Sequence, residues 1–200
     1  MLFNMLMNSV VDVAKIYDAT WKPSHLITNS SLSIDNLTLT ENTSQRFRVL
    51  ANKAPSYDKS YWELTVTLAS QGDVWLGMAP IGSDYTNPLN GPAGAYWRSE
   101  GQYERNGVFN SGGVSFEYGN NLTLMFAYDR ITRKLWAGKA GGWISGNPAN
   151  DSNPWCILAG TYEAVACYTT DGRSGLNIVK ANFGGSSFVY PVPNGFEPGY

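Results

Sequence analysis

The chain has 200 residues and a formal net charge of −2, with 14 Lys and Arg against 16 Asp and Glu; only 15% of residues are charged. A nucleic-acid backbone demands clustered Lys and Arg, so this balance argues against that partner. No run approaches the ~18 apolar residues of a membrane-spanning helix. Gly (21), Pro (10), Tyr (12), Phe (8) and Trp (7) are abundant, which fits short strands joined by tight turns. Low charge with many aromatics also fits a protein working outside the cytoplasm or packed in a large assembly. A chain this long buries roughly 70% of its unfolded surface and needs neither metal nor disulfide to fold.

Residues 1–19 are apolar but lack a basic leader and a small-residue cleavage site, and Asn4 and Asn8 interrupt them. Leu2, Met5 and Leu6 share a helical face. With Phe3 they are expected to form a docking arm or short helix ahead of a sandwich over 20–200. A helical turn is expected near 20–25. Leu32/Ile34 and Leu37/Leu39 are apolar pairs separated by Asp35-Asn36, a turn or bulge signal. Residues 61–68, YWELTVTL, place Trp62, Leu64, Val66 and Leu68 on one face and Tyr61, Glu63, Thr65 and Thr67 on the other. That alternation is a half-buried antiparallel strand. Residues 73–79, with Val74, Leu76 and Met78 on one face, are expected to form its hairpin partner across Ser70-Gln71-Gly72.

Residues 80–105, rich in Gly, Pro, Asn and Tyr, read as a long loop, and such loops are often functional. LTLMFAYD (122–129) predicts a central strand, followed by a turn at RITR and a strand in KLWAGKAGGWI. Cys156 and Cys167 would face each other if 155–158 and 164–168 formed a hairpin about Thr161-Tyr162. Either a bridge or two small buried thiols then follows. LNIVKANF (176–183) predicts a late strand, and Pro191 and Pro193 end regular pairing.

His25 is the sole histidine, which leaves no histidine metal cluster and no ordinary His-dependent triad. Nucleotide-binding and nucleophile-elbow motifs are missing from the sequence. Gly112-Gly113, Gly141-Gly142 and Gly184-Gly185 suit turns. Glu100 and Glu104 are the nearest carboxylate pair of the kind a glycosidase uses, while Glu63, Glu117 and Glu163 are isolated. Asn29, Asn36, Asn42, Asn121 and Asn150 open Asn-x-Ser/Thr triplets, which are glycan sites only in a secreted eukaryotic chain. The expectation is a non-enzyme with no metal and no cofactor.

Four segments resemble, in order, the signatures of SPRY domains: Tyr61–Val66 (YWELTV), Val74–Ala79 (VWLGMA), Leu124–Trp143 and Ala181–Gly184 (ANFG). Two positions depart from the pattern. Arg133 stands where Gly is common in the hairpin turn, and Ala140-Gly141-Gly142 replaces an Asn-Gly. The opening ATWKPSHLITNSSLSIDNLTLT is similar to that of SPRY-like proteins encoded by bacteriophages, as is the Trp143–Pro154 tail of the hairpin. The resemblance covers about 20–190. It implies an all-β antiparallel sandwich of the concanavalin-like kind, and a virion protein in head decoration or tail fibre, assembled in the host cytoplasm.

Strand aromatics such as Trp62, Trp75, Phe126, Trp136 and Phe183 are expected in the core, with Leu64, Val66 and Leu124. Tyr57, Tyr85, Tyr96, Trp97, Tyr103 and Trp143, with Arg98 and Arg105, are the candidate binding residues, because aromatics beside Arg anchor interfaces. The same rings can instead staple loops over the sandwich edge. Three functions follow: a virion structural protein binding other virion proteins or further copies of itself; a recognition module for a host-surface glycan or protein; and an intracellular SPRY adaptor.

Overall fold

The computed structural model describes residues 19–45, 47–69, 74–82, 94–115, 121–160, 163–170 and 175–200. Its strands are β1 (Ser30–Leu32), β2 (Thr38–Glu41), β3 (Phe47–Leu50), β4 (Lys59–Ala69), β5 (Val74–Pro80), β6 (Ala95–Arg98), β7 (Tyr103–Arg105), β8 (Val108–Asn110), β9 (Leu122–Asp129), β10 (Lys134–Lys139), β11 (Gly142–Trp143), β12 (Cys156–Ile157), β13 (Ala164–Thr170), β14 (Asn177–Asn182) and β15 (Glu197–Pro198). Short 3-10 turns at Pro23–His25 and Pro148–Asn150 are the described helical elements, and among the described residues no helix is long and apolar enough to cross a membrane.

Two sheets pack as a sandwich. One runs β1-β2-β14-β4-β9-β10-β11, with β12 also on β10 and β15 lying parallel to β4; the other runs β3-β13-β5-β6-β7-β8. The expected all-β antiparallel sandwich is what forms. Trp62, Leu64, Val66, Leu124 and Phe126 are all fully buried in its main core.

The 61–68 and 73–79 strands do not form a hairpin. β4 pairs with β14 and β9, whereas β5 pairs with β13 and β6, so the chain changes sheet between them. The reason is burial. β5 is buried at every position from Val74 to Ala79, and a strand covered on both faces needs partners on both edges and layers on both sides. Gly77 belongs to this packing, because a Cβ there would run into the carbonyl oxygen of Ala95 on β6.

The polar-side residues of β4 are not in solvent either. Tyr61 and Glu63 are buried, and Tyr61 joins Met125, Ala127, Trp136 and Phe196 in a second cluster on the outer face of the larger sheet. The C-terminal segment covers that face. Glu63 holds it: its carboxylate accepts from the Val189 and Tyr190 amides, each 2.8 Å away, and from the Tyr61 hydroxyl at 2.8 Å.

The 155–168 hairpin is also corrected. β12 pairs with β10 in one sheet and β13 with β3 and β5 in the other, and Cys156 and Cys167 are buried thiols with no disulfide between them. Residues 95–98 and 103–105, read from sequence as loop, are strands. Asp35-Asn36 does form the β1–β2 turn, with Asn36 at φ 56°.

Candidate functional site

Successive strand residues face opposite sides of a sheet, and this sorts the candidate binding residues. Trp97 lies opposite Tyr103, and Arg105 opposite Ala95. These residues share the inner face with Leu76 and Tyr168, whose hydroxyl reaches across to Glu41 on the other sheet at 2.8 Å. Tyr96, Arg98 and Glu104 face outward. There Arg48 lies 4.9 Å over the Tyr96 ring and Arg98 5.2 Å over Trp75. Burial raises the Glu104 carboxyl above its usual range, with Arg48 pulling the other way. Glu100 pairs with Arg98 at 3.3 Å.

The inward set lines a groove of about 220 Å³. Trp97, Tyr103, Arg105 and Val114 form one wall; Ile144, Ser145 and Trp155 form the other. Across Arg105 and Trp155 it continues into an open depression of about 510 Å³ bounded by Asn106, Asn153, Pro154 and Ile157. The site is therefore the mouth of the sandwich, between β7 and the segment running from 144 to 157.

Its geometry begins with a dipeptide. Asn106 and Gly107 have φ 53° and 79° and join β7 to β8 with Arg105 opposite Val108, the two-residue turn that Asn-Gly favours. The Asn106 side chain ties the turn to the other wall, donating to the Ile157 carbonyl at 2.9 Å and accepting from the Ala159 amide at 2.8 Å. The Arg105 guanidinium sits 4.5 Å over the Tyr103 ring. It donates to the Trp155 carbonyl at 2.6 Å and to the Tyr103 hydroxyl at 3.1 Å. Tyr103 and Trp155 meet edge to face at 6.2 Å, and the Trp97 indole N–H donates to the Val114 carbonyl at 2.6 Å. These bonds hold a rigid aromatic wall around one cation.

The groove offers little for catalysis. Burial pushes the Cys156 thiol up to about 11, against the pull of Arg105, so at neutral pH it is protonated and a poor nucleophile. His25 is buried far along the sheet beside β3, where its Nδ1 accepts from the Leu50 amide at 3.3 Å. Among the described residues there is no group of three or more His, Cys, Asp or Glu that could hold a metal.

The other candidate residues lie elsewhere. Tyr96 and Arg98, on the outer face, are 3% and 6% exposed; like Trp97 they are strand residues rather than loop anchors. Trp143 is half-buried on β11, 6.4 Å from Tyr61 beneath the C-terminal segment. Tyr57 is half-buried in the connection before β4. Tyr85 and the arm residues Leu2, Phe3, Met5 and Leu6 lie outside the described residues. Sequence reasoning missed Trp155, Ile144, Asn106 and Ile157; the Asn106-Gly107 pair was the available signal for the hairpin that carries the site.

No family profile matches the chain, and no curated protein is similar to it in sequence. Solved structures do match. The SPRY domain of human HERC1 is 15% identical with a TM-score of 0.60, over 80% of this chain and 96% of that one. The TRIM65 PSpry domain is 15% identical with a TM-score of 0.54, over 82% and 91%. Stonustoxin is 18% identical with a TM-score of 0.55, over 82% of this chain and 27% of that one. The fold is SPRY-like.

The SPRY-like motifs now have physical reasons. Asp129 in the YD segment accepts from the amides of Ile131 and Thr132, each at 2.9 Å, closing the β9–β10 turn. Arg133 ends that turn at φ 59°, and Ala140 precedes Gly141 at φ 51°. Both departures from the SPRY pattern thus fall on left-handed backbone, which Gly and Asn adopt most readily.

Proposed function

We propose that this chain is a non-catalytic protein-binding module of a bacteriophage particle, and that it engages its partner through the groove at the mouth of the sandwich. The observation that carries the binding reading is the composition and setting of that groove. Its aromatic walls and single guanidinium are held on strands and cross-braced by Arg105 and Asn106, and aliphatic Val114 and Ile157 stand at its rim, 43% and 56% exposed. Rigid aromatics with an Arg, ringed by exposed apolar side chains, make an interface anchor.

The virion setting is supported by the opening segment, ATWKPSHLITNSSLSIDNLTLT, and by the low charge of the chain. Residues 1–19 are the docking arm in this reading: six large apolar side chains among the first seven residues suit burial against a neighbouring virion protein or a second copy. A mass-spectrometric inventory of purified particles tests the setting. Peptides of this chain in stoichiometric amount support it. Their absence from particles, with the chain recovered in lysate on a host protein, replaces it with the adaptor reading. Retention on an immobilised host glycan, abolished by changes in the groove, replaces it with the recognition-module reading.

A further inference from the structure

From the charge inventory of this groove, and resting on the protein-binding reading above, we infer that its partner is an acidic segment of a protein, with a side-chain carboxylate seated on Arg105 and an adjoining aliphatic side chain packed against Ile157. Among the described residues no carboxylate pairs with Arg105; its contacts are the Trp155 carbonyl, the Tyr103 hydroxyl and the Tyr103 ring. Arginine carries five N–H donors, and these two bonds leave the others unused. Nε, which makes neither bond, is not buried without a partner, so it remains in contact with solvent in the groove. A half-buried guanidinium is stabilised by a carboxylate, which it can grip through two parallel bonds.

Two further features point the same way. Ser145 Oγ, in the facing wall, is buried with no partner, so a turn of its side chain into the groove would give it the bond it lacks to a ligand's polar atom. Lys139 donates to the Ser115 carbonyl next to Val114 and, among the described residues, has no acidic partner either, so it adds a second positive charge on this side of the groove.

A peptide fits these walls better than an acidic sugar. Sugars stack on open ring faces, but one face of Tyr103 lies under the Arg105 guanidinium and the Trp155 ring meets its edge. Val114, Ile144 and Ile157 add aliphatic surface, beside the polar side chains of Asn106, Asn153 and Ser145.

The test uses the full chain and a displayed library of random twelve-residue peptides. The wild-type protein should enrich sequences with Asp or Glu next to an aliphatic residue. The best of these, resynthesised with its acid changed to the amide, should bind at least tenfold more weakly. Against Arg105→Gln protein the acid and amide peptides should bind alike, closing a double-mutant cycle on the pair. The peptide arm of the cycle leaves the protein untouched, so misfolding of the variant cannot imitate the result. Enrichment of purely apolar peptides, lost with Ile157→Asp, would overturn the acidic partner while leaving the groove as a binding site. No enrichment, or enrichment indifferent to both Arg105 and Ile157, would overturn both.

Discussion

Tyr200 and Trp62 meet edge to face in the main core, with ring centroids 5.2 Å apart and ring planes at 85°. One comes from the last residue of the chain and the other from the middle of β4. Tyr200 also tilts against Phe183 at 4.9 Å, and its hydroxyl accepts from the Ala166 amide on β13. Tyr200 is therefore a plug that touches both sheets. Tyr200→Ala should cost about 3 kcal/mol, near the low end for deleting a buried large aromatic, and leave the Ala166 amide without its acceptor. Chemical denaturation of the variant measures this; a change below about 0.5 kcal/mol, the scale of ordinary surface substitutions, would show that the plug is decorative.

Glu63 is the second anchor of the same segment. It is 1% exposed and receives three hydrogen bonds, two of them from the Val189 and Tyr190 amides. Glu63→Gln turns one acceptor into a donor facing those N–H groups. The loss should be about 1–3 kcal/mol, the cost of leaving buried polar groups unmatched. Limited proteolysis should cut within 184–196 faster in the variant than in the wild type. Equal cutting rates would mean that aromatic packing on Trp136 and Phe196 holds the segment without Glu63.

The two left-handed residues of the β10 hairpins predict gains rather than losses. Arg133 and Ala140 occupy φ 59° and 51°, where a side chain other than Asn or Gly costs roughly 1 kcal/mol. Arg133→Gly and Ala140→Asn should each raise stability by about that amount, and together by nearly the sum, since the turns lie at opposite ends of β10. Thermal unfolding of the double variant is the measurement, and an unchanged or lower Tm would count against backbone strain at these positions.

These positions also show what was legible in the sequence. Alternation in 61–68 located the core face of β4, and the continuous apolar run at 122–129 gave the central strand between β4 and β10. Both signals are local. Proximity in sequence favours a β4–β5 hairpin, and nothing within either strand records that β13 and β6 compete for the edges of β5. The outer face of β4 looked solvent-exposed because its cover, 188–196, lies more than a hundred residues downstream. In the site, Trp97, Tyr103 and Arg105 were legible as aromatic-cation chemistry. Their separation from Tyr96 and Arg98 follows from strand periodicity, which was hidden while 80–105 was read as loop. Trp155 could not be assigned to the same groove, since it arrives from the other wall through tertiary packing.

His25 sets a pH response. Burial, then the charge of Lys22, lowers its pKa from 6.5 to about 4, so the fold holds the neutral imidazole. In the unfolded chain the residue takes up a proton near 6.5. Between pH 6.5 and about 4 the unfolded state therefore binds more protons, and stability falls as the pH drops through that window. Protonation at Nδ1 also removes the acceptor for the Leu50 amide. His25→Asn should lose the part of the pH dependence that falls in this window. Melting curves at pH 7, 5.5 and 4.5 compare the two; parallel curves would place the acid sensitivity in the carboxylates.

The groove makes opposite demands on two of its residues. Trp97 lies on a wall but is 1% exposed and packed in the main core, whereas Ile157 stands at the rim, 56% exposed. Trp97→Ala should then cost about 3–5 kcal/mol, and any loss of partner binding would be inseparable from that damage. Ile157→Asp touches little of the core and should change stability by no more than about 0.5 kcal/mol. It places a like charge where an acidic segment would approach, so it should weaken binding of an acidic peptide without lowering its Tm. Ile157→Lys keeps the polarity change but reverses the charge, and should retain more of that binding than Ile157→Asp. Equal losses for the two variants would show that apolar contact at Ile157 governs docking, and equal retention would move the interface away from this mouth of the sandwich.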